Sequence, residues 1–426
     1  MEFGHGGWGR WAWLLSIGFM LGSCQGRSAD LSSSSSPVQI FGSLTGEGGD
    51  IVKQAIAPFS QTTGIEVIYE GSDAFATVLP IKVEAGNKPD IAIFPQPGLM
   101  ANLAQEGDLV PLEFLDQGQL AQAYGNDWVK LGTVEGKLYG IWMRADPKSI
   151  VWYNPKAFQA RGYQIPETWS DLQALTQKIQ AAGAVPWCLG MESGDATGWV
   201  GTDWVESILL RTAGPQVYDQ WVNRQIPFTA PAVKMAFERF GAIARDPRQV
   251  VGGTTGVVSI PFGDSPAPLF DNPPGCYLHR QASFIIDFLP NKVNLETDVN
   301  VFELPSINPQ WGKPLLVGGL VFSLLNDRPE ARAMMEYLIS AQPHRILAGQ
   351  NYITPHQGVP LSAYGNPLMR RQAQILRQAE SIRFDGSDLM PAQVGTGTFW
   401  TGMVDYVGGE DLDTVLQTID RSWPNP

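Results

Sequence analysis

The sequence predicts an α/β protein whose sheets are mostly parallel and covered by helices on both faces. Three observations predict it. From residue 38 onward, short strand-like runs alternate with amphipathic helical stretches. The run Ile91 to Phe94 is apolar throughout, as strands buried on both faces are. The chain has 426 residues and 44% hydrophobic content, enough for two to three domain-sized units or one large two-lobed body.

Taken in order, Val38 to Phe41 reads as the first strand and Gly42 to Gly49 as a glycine-rich turn. Asp50 to Phe59 reads as a helix, because Ile51, Val52, Ala55, Ile56 and Phe59 share one face. Ile65 to Tyr69 is a second strand. The helix Phe75 to Ala85 then leads through Gly86-Asn87-Lys88-Pro89 into the strand at Ile91 to Phe94. Ligands of such sheets sit beyond the carboxyl ends of the strands, so Gly42 to Glu47, Glu70 to Asp73 and Phe94 to Gly98 are the expected pocket loops. Further on, Thr168 is a good N-cap, with Asp171 three residues later. Trp169, Leu172, Leu175 and Ile179 make an apolar stripe, which is core. Val299 to Leu304 and Leu315 to Leu325 read as strands, and Pro329 to Ile339 as a helix with Met334, Met335 and Leu338 inward.

Residues 1 to 23 read as an export signal: Arg10 precedes the apolar run Trp11 to Leu21, which is too short to span a bilayer permanently. Leu21-Gly22-Ser23-Cys24 resembles the lipobox of bacterial lipoproteins. That resemblance implies a lipidated Cys24 anchoring an exported protein to the membrane, on its periplasmic side or at the cell surface; ordinary signal cleavage is the competing reading. Residues 24 to 37, with the run Ser32 to Ser36, suit a flexible tether. In an exported chain Cys188 and Cys276 read as a disulfide before a metal pair, two buried free thiols being the alternative.

A net charge of -13 argues against nucleic acid as a partner, because phosphate recognition needs a concentrated basic face. His5, His279, His344 and His356 have no metal-ligand spacing, and neither a Gly-x-Ser-x-Gly elbow nor a phosphate loop is present, so no cofactor is expected. Asp203 and Glu206 are three residues apart and could share a helix face. Paired carboxylates hydrolyse glycosides when suitably separated, which makes an exported carbohydrate-active hydrolase the rival reading. No second motif supports it. A binding protein for an oligopeptide or polyamine is a further alternative.

Tyr139-Gly140-Ile141-Trp142, then Ile150-Val151-Trp152-Tyr153-Asn154-Pro155-Lys156-Ala157-Phe158, then Pro166-Glu167-Thr168-Trp169 follow one another. Together they resemble the extracellular solute-binding proteins of sugar-importing ABC transporters. Gly86-Asn87-Lys88-Pro89-Asp90 is similar to that family's Gly-x-x-Pro-Asp turn, and Val317-Gly318-Gly319 to its returning glycine segment. The stretches Pro186-Trp187-Cys188, Thr197-Gly198-Trp199, Asp203-Trp204 and Pro274-Gly275-Cys276-Tyr277 look most like the subgroup that binds α-glucosides such as glucosylglycerol, sucrose and trehalose. At the end of the third strand Pro95-Gln96-Pro97-Gly98 departs from the charged hydroxyl binders of the maltose-binding branch.

The resemblance implies a two-lobed periplasmic-binding-protein fold (type II-like), each lobe a mixed, mostly parallel sheet flanked by helices, with the ligand cleft between them. The expected lobes are 38–146 plus 300–353 and 147–299 plus 354–426, crossing near Arg144 to Ser149, Asn294 to Val301 and Gly349 to His356. It also implies a monomer that binds a small sugar and delivers it to ABC permease subunits, without catalysis. An aromatic ring covers the apolar face of a sugar while planar polar groups bind its hydroxyls. Trp400, preceded by Gly395-Thr396-Gly397-Thr398-Phe399, matches the family's stacking position, and Trp199 follows a flexible loop; burial in a core competes at both. Glu192 is the candidate hydroxyl acceptor in that loop. Asp203 is another acceptor or merely a helix cap. Asp73, Arg144 and Gln281 are candidate clamps or solvated surface groups, Phe94 and Gln96 border the third pocket loop, and Gly318 and Gly319 let backbone approach the ligand or mark a bulge inside a strand.

Overall fold

The computed structural model describes residues 36–424; the expected signal segment, Cys24 and most of the tether lie outside them. Strand Val38–Gly42 runs parallel to both Val67–Gly71 and Ile91–Phe94, with Ile40 opposite Tyr69 on one side and Ile91 on the other. The intervening helices Gly46–Thr63 and Phe75–Glu84 supply the crossovers that parallel pairing requires. A long strand, Leu315–Leu324, returns antiparallel to Ile91–Phe94 and places Val321 opposite Phe94. Its other edge pairs antiparallel with Gly140–Pro147, and its first residues pair parallel with Ile382–Phe384, completing six strands.

The first helix begins earlier than its apolar stripe suggests. Gly46–Gly49 form its opening turn rather than the end of a loop. A β-carbon at Gly49 would lie 3.2 Å from the carbonyl oxygen of Leu44 and 3.3 Å from the Tyr69 ring. The glycine therefore permits close packing of helix on strand, and tertiary contact overrides its low helix propensity. The second strand, Val67–Gly71, is shifted two residues along from the expected one, since register is fixed by pairing to Val38–Gly42. Thr168 caps helix Trp169–Ala181 in a reciprocal box with Asp171.

A second sheet centres on Ile150–Tyr153, antiparallel to His279–Arg280 and Asn300–Glu303. Isolated parallel bridges link Trp187 to Val250 and to Leu278 at its margin. Side chains alternate across this sheet: Ile150 and Trp152 pack into one hydrophobic cluster, and Val151 into the other. Cys188 and Cys276, both buried here, are joined as a disulfide with a Cα separation of 5.5 Å. Helix Trp199–Ala213 is buried from Val200 through Arg211, so Asp203, Glu206, Ser207 and Arg211 must find partners inside the protein.

Candidate functional site

The polar residues of that helix meet the segment that leaves the first sheet. After strand Gly140–Pro147 the backbone N–H of Lys148 donates to Leu316 O at 2.7 Å, and its side chain turns inward. Lys148 Nζ donates to Asp203 Oδ1 at 3.0 Å and to Asp385 Oδ2. A β-carbon at Gly318 would lie 2.7 Å from Lys148 Cε, so that glycine leaves the room the lysine occupies. Gly319 allows close strand approach instead: its β-carbon would sit 2.2 Å from Arg144 O.

Burial alone would lower the Lys148 pKa, but Asp203, Asp385 and Asp388 outweigh it and hold the ammonium well above the ordinary lysine value. Burial pushes Asp203 up to about 7, opposed by Lys148 and assisted by Asp385. Burial, then Asp385 and Asp203, keep the Glu206 carboxyl well above its usual range. Glu206 accepts from Gly386 N at 2.8 Å, Ser387 N at 3.0 Å and Tyr218 Oη at 3.1 Å. Arg280 Nη2 donates to Asp203 O at 2.9 Å and to Ser207 Oγ at 2.6 Å. The rival hydrolase pair, Asp203 and Glu206, is thus fully buried and committed to internal partners. Carboxylate oxygens of Asp203, Glu206 and Asp385 come within 4.8 Å of one another, yet Lys148 already supplies the positive charge a metal would bring.

Beside this ion cluster stands an aromatic wall. Trp199 opens the helix Trp199–Ala213 and is half-buried. Its ring meets Phe262 edge-on at 5.2 Å and Phe284 at 5.8 Å, and Lys148 Nζ lies 5.6 Å from its centroid. Glu192 is tied to the same wall: its carbonyl accepts from Phe262 N at 3.0 Å, and its carboxylate accepts from Gly194 N at 2.8 Å. Trp400, also half-buried, follows a π-helical turn at Gln393–Phe399. Its indole Nε1 is buried with no acceptor among the described residues, and the carboxamide Oε1 of Gln96 is likewise without a donor.

Arg144 lies on the strand before Lys148. Its Nε donates to Asp146 Oδ1 at 2.8 Å, an oxygen that also accepts from Ser283 Oγ at 2.7 Å. The guanidinium sits 4.1 Å from the Tyr352 ring and 6.0 Å from that of Phe284, which places Phe284 between Arg144 and Trp199. Arg144, Trp199, Glu192 and Lys148 are therefore linked through shared neighbours.

Other sequence candidates are placed apart from this group or serve the scaffold. Phe94 is fully buried, edge-on to Phe75 at 5.5 Å, in the core of the first sheet. Gln281 is fully buried; its Oε1 accepts from Ala282 N at 2.8 Å and its carbonyl from Trp152 Nε1 at 2.9 Å. Asp73 is exposed and accepts from Thr45 Oγ1 at 2.8 Å, bridging two of the expected pocket loops. A 780 Å³ surface cavity lined by Phe114, Gln119 and His356 contains none of the candidates. Lys148, Phe262, Phe284 and Tyr352 were not singled out in the sequence as candidates, since each owes its place to contacts across many residues; Lys148 and Tyr352 do fall inside expected crossings.

Residues 42–343 match the family described as bacterial extracellular solute-binding protein. The chain is 52% identical over 407 residues to the osmoprotective compounds-binding protein GgtB of Synechocystis sp., covering 95% of this chain and 96% of that one. It is 43% identical over 394 residues to the alpha-glucosides-binding periplasmic protein AglE of Rhizobium meliloti, covering 90% and 86%. Among solved structures, the bacterial solute receptor AcbH superposes with a TM-score of 0.77 at 18% identity, covering 91% of this chain and 98% of that one. A chitin oligosaccharide binding protein does so with a TM-score of 0.76 at 18% identity, covering 91% and 99%.

Proposed function

The chain belongs to the bacterial extracellular solute-binding proteins, a family of binding proteins rather than enzymes, and from that premise we propose that it captures a small α-glucoside-type osmoprotectant and delivers it to an ABC import permease. The observation that carries the ligand class is the half-buried Trp199, walled by Phe262 and Phe284 and flanked by Lys148 and Arg144, whose charges are already paired with carboxylates. Such a site offers an apolar plane and hydrogen-bonding groups without surplus charge, which suits a neutral polyhydroxyl ring. Two relatives above 40% identity, named for osmoprotective compounds and for alpha-glucosides, support the same reading. Glucosylglycerol, sucrose and trehalose are the ligands of choice.

In this reading 38–146 plus the returning segment form one lobe, whose sheet Ile382–Phe384 joins, and 147–304 plus the chain after Phe384 form the other. Asn300–Glu303 pairs with Ile150–Tyr153, so we assign the return to the first lobe to the stretch after Leu304. The lobes open about Ser149, Leu304 to Leu315 and the segment after Phe384. A ligand touching both lobes stabilises the closed form, and the permease recognises that form. We assign the protein to the outer side of the membrane, as a monomer tethered by a lipidated Cys24. An N-terminal peptide mass for the membrane-extracted protein that includes a diacylglyceryl cysteine supports the tether; a free cysteine removes it.

Thermal-shift and calorimetric titration with glucosylglycerol, sucrose, trehalose, maltose and spermidine test the ligand class. Ligand at 100 times its Kd stabilises the folded state by about 2.7 kcal/mol. Binding confined to spermidine, or reducing sugar released from sucrose, would overturn the proposal.

A further inference from the structure

Resting for one of its readouts on the sugar-binding function, we infer that the buried pair His344 and His356 is an acid-sensitive fastener of segment 352–358: with both rings neutral it holds Tyr352 against Arg144, and protonation releases that segment and weakens sugar binding. Both histidines are buried, and their ring centroids lie 4.9 Å apart at an interplanar angle of 33°. The Tyr124 ring stands edge-on to both, at 5.7 and 5.2 Å. His344 sits on helix Ala341–Gly349, Tyr124 ends helix Gln117–Tyr124, and His356 belongs to the stretch after the former, so three segments meet here.

The hydrogen bonds leave each ring one arrangement. His356 Nδ1 accepts from Gly358 N at 3.0 Å, so its hydrogen is on Nε2, which donates to Ile339 O at 3.2 Å. Leu338 O lies 3.0 Å from His344 Nε2 and offers only lone pairs, so that nitrogen also carries the hydrogen. His344 Nδ1 then accepts from Thr354 Oγ1 at 2.6 Å, and the same hydroxyl oxygen accepts from His356 N at 3.1 Å. Tyr124 Oη, 2.8 Å from His344 Nε2, is a second acceptor for that hydrogen. Every ring nitrogen is therefore used with both rings neutral. A proton added to His356 Nδ1 would point at the Gly358 N–H, one added to His344 Nδ1 would displace the Thr354 hydrogen, and two imidazolium rings at this spacing would repel.

The fastened segment also meets the strand that bears Arg144: Ala145 N donates to Ile353 O at 2.8 Å, and the Arg144 guanidinium lies 4.1 Å from the Tyr352 ring. From Arg144 the contacts run through Phe284 to Trp199. Freeing the segment therefore removes the support of a guanidinium beside the aromatic wall.

The charged and titratable groups around the pair are Arg345, which donates to Gly358 O at 3.4 Å, Arg377, which donates to Val359 O, and Tyr364, whose Oη accepts from Thr354 N at 3.3 Å. Asp116 and Glu336 line the 780 Å³ cavity beside His356, Asp116 being turned to Gly118 N and Gln119 N as a helix cap. Burial pushes the His344 pKa down to about 3, assisted by His356 and opposed by the Leu338 carbonyl. Burial also lowers His356, opposed by the Ile339 carbonyl and assisted by Arg345. An ordinary histidine titrates near ~6.5, so the released form takes up protons first as pH falls, and the fastened form loses about tenfold of its advantage per histidine for each pH unit below that value.

The test compares the full mature protein with the double variant His344→Gln and His356→Gln, since a glutamine amide donates and accepts in place of a neutral imidazole without titrating. Affinity for sucrose and glucosylglycerol is read by calorimetric titration at pH 7 and pH 4.5. Amide hydrogen exchange of peptides spanning 350–360, corrected for its intrinsic pH dependence, is read in the ligand-free protein. The wild-type protein should lose about tenfold or more in affinity on acidification, and protection of that segment should fall by a similar factor; the double variant should stay within about threefold on both. His356→Gln alone should fall between the two, and it carries the test if the double variant does not fold. Wild-type affinity and protection that survive pH 4.5, or equal losses in the wild type and the variants, overturn the fastener while leaving the sugar-binding function standing. A wild-type protein that binds neither sugar at pH 7 overturns that function, and the exchange data alone then decide the fastener.

Discussion

A β-carbon at Gly198 would lie 2.1 Å from the carbonyl oxygen of Trp400. Gly198 also has φ +116°, a conformation side chains rarely adopt, and it caps the helix that Trp199 opens. One glycine therefore joins the two tryptophan-bearing segments, which are far apart in the chain, at backbone contact. Gly198→Ala should cost about 2 kcal/mol or more from the backbone strain alone. The contact with Trp400 adds to it, so calorimetric unfolding should show a lower Tm together with weakened sugar binding. An unchanged Tm would mean the two segments are free to separate.

Removing either aromatic face should act on binding rather than folding, because both rings are only half-buried. Trp199→Ala and Trp400→Ala should each weaken binding tens-fold, about 2 kcal/mol as anchoring aromatics do in desolvated sites. Trp400→Phe separates the indole's two roles. If its unpaired Nε1 donates to ligand, the phenylalanine variant should recover only part of the lost affinity in a calorimetric titration.

Lys148→Met leaves Asp203 and Asp385 buried without their shared cation. Breaking such a pair typically costs about 3–5 kcal/mol. Chemical denaturation should register that loss, and the added variant Asp203→Asn should recover part of it by removing one of the stranded charges.

Stability should also fall as pH rises through the range set by Asp203. An unfolded aspartate titrates near ~3.9, whereas the folded group is pushed up to about 7 by burial, against Lys148 and Arg280 and with Asp385. The folded state then holds the proton that the unfolded state has lost, so the unfolding free energy declines between these two values and levels off above them. Asp385 works in the opposite sense at lower pH: burial raises it, but Lys148 and its hydrogen bonds depress it overall, so its contribution is lost on acidification. Asp203→Asn should flatten the decline in denaturation curves recorded from pH 4 to 8.

Cys188 and Cys276 close a loop with a sequence separation of 88. Replacing both with serine should lower stability by about 2–5 kcal/mol, mainly by freeing the unfolded chain. Sugar affinity at low temperature should persist, since neither sulfur belongs to the aromatic wall. A complete loss of binding in a well-folded variant would place the disulfide in the site itself.

The strand at Ile91–Phe94, the helix from Phe75, the Thr168 cap and the pairing of the two cysteines were legible in the sequence. Each depends on neighbours within a few residues or, for the cysteines, on chemistry that leaves one partner available. The site was only partly legible. Trp199 and Trp400 stand out because loops rich in glycine precede them, whereas Phe94 ends its strand at the expected loop edge but turns its ring into the core. Asp203 draws notice for its acidity, but its partner is Lys148, 55 residues away, which it shares with Asp385 beyond the glycine strand.

By itself the sequence determined the class of fold and the family, because periodicity, capping and short motifs are written locally. Only the tertiary structure decided that Lys148 neutralises two aspartates and that Phe284 neighbours both an indole and a guanidinium. Those relationships arise when separated segments pack into a common low-dielectric region. Distances there are set by the filling of volume, and no local pattern of residues encodes them.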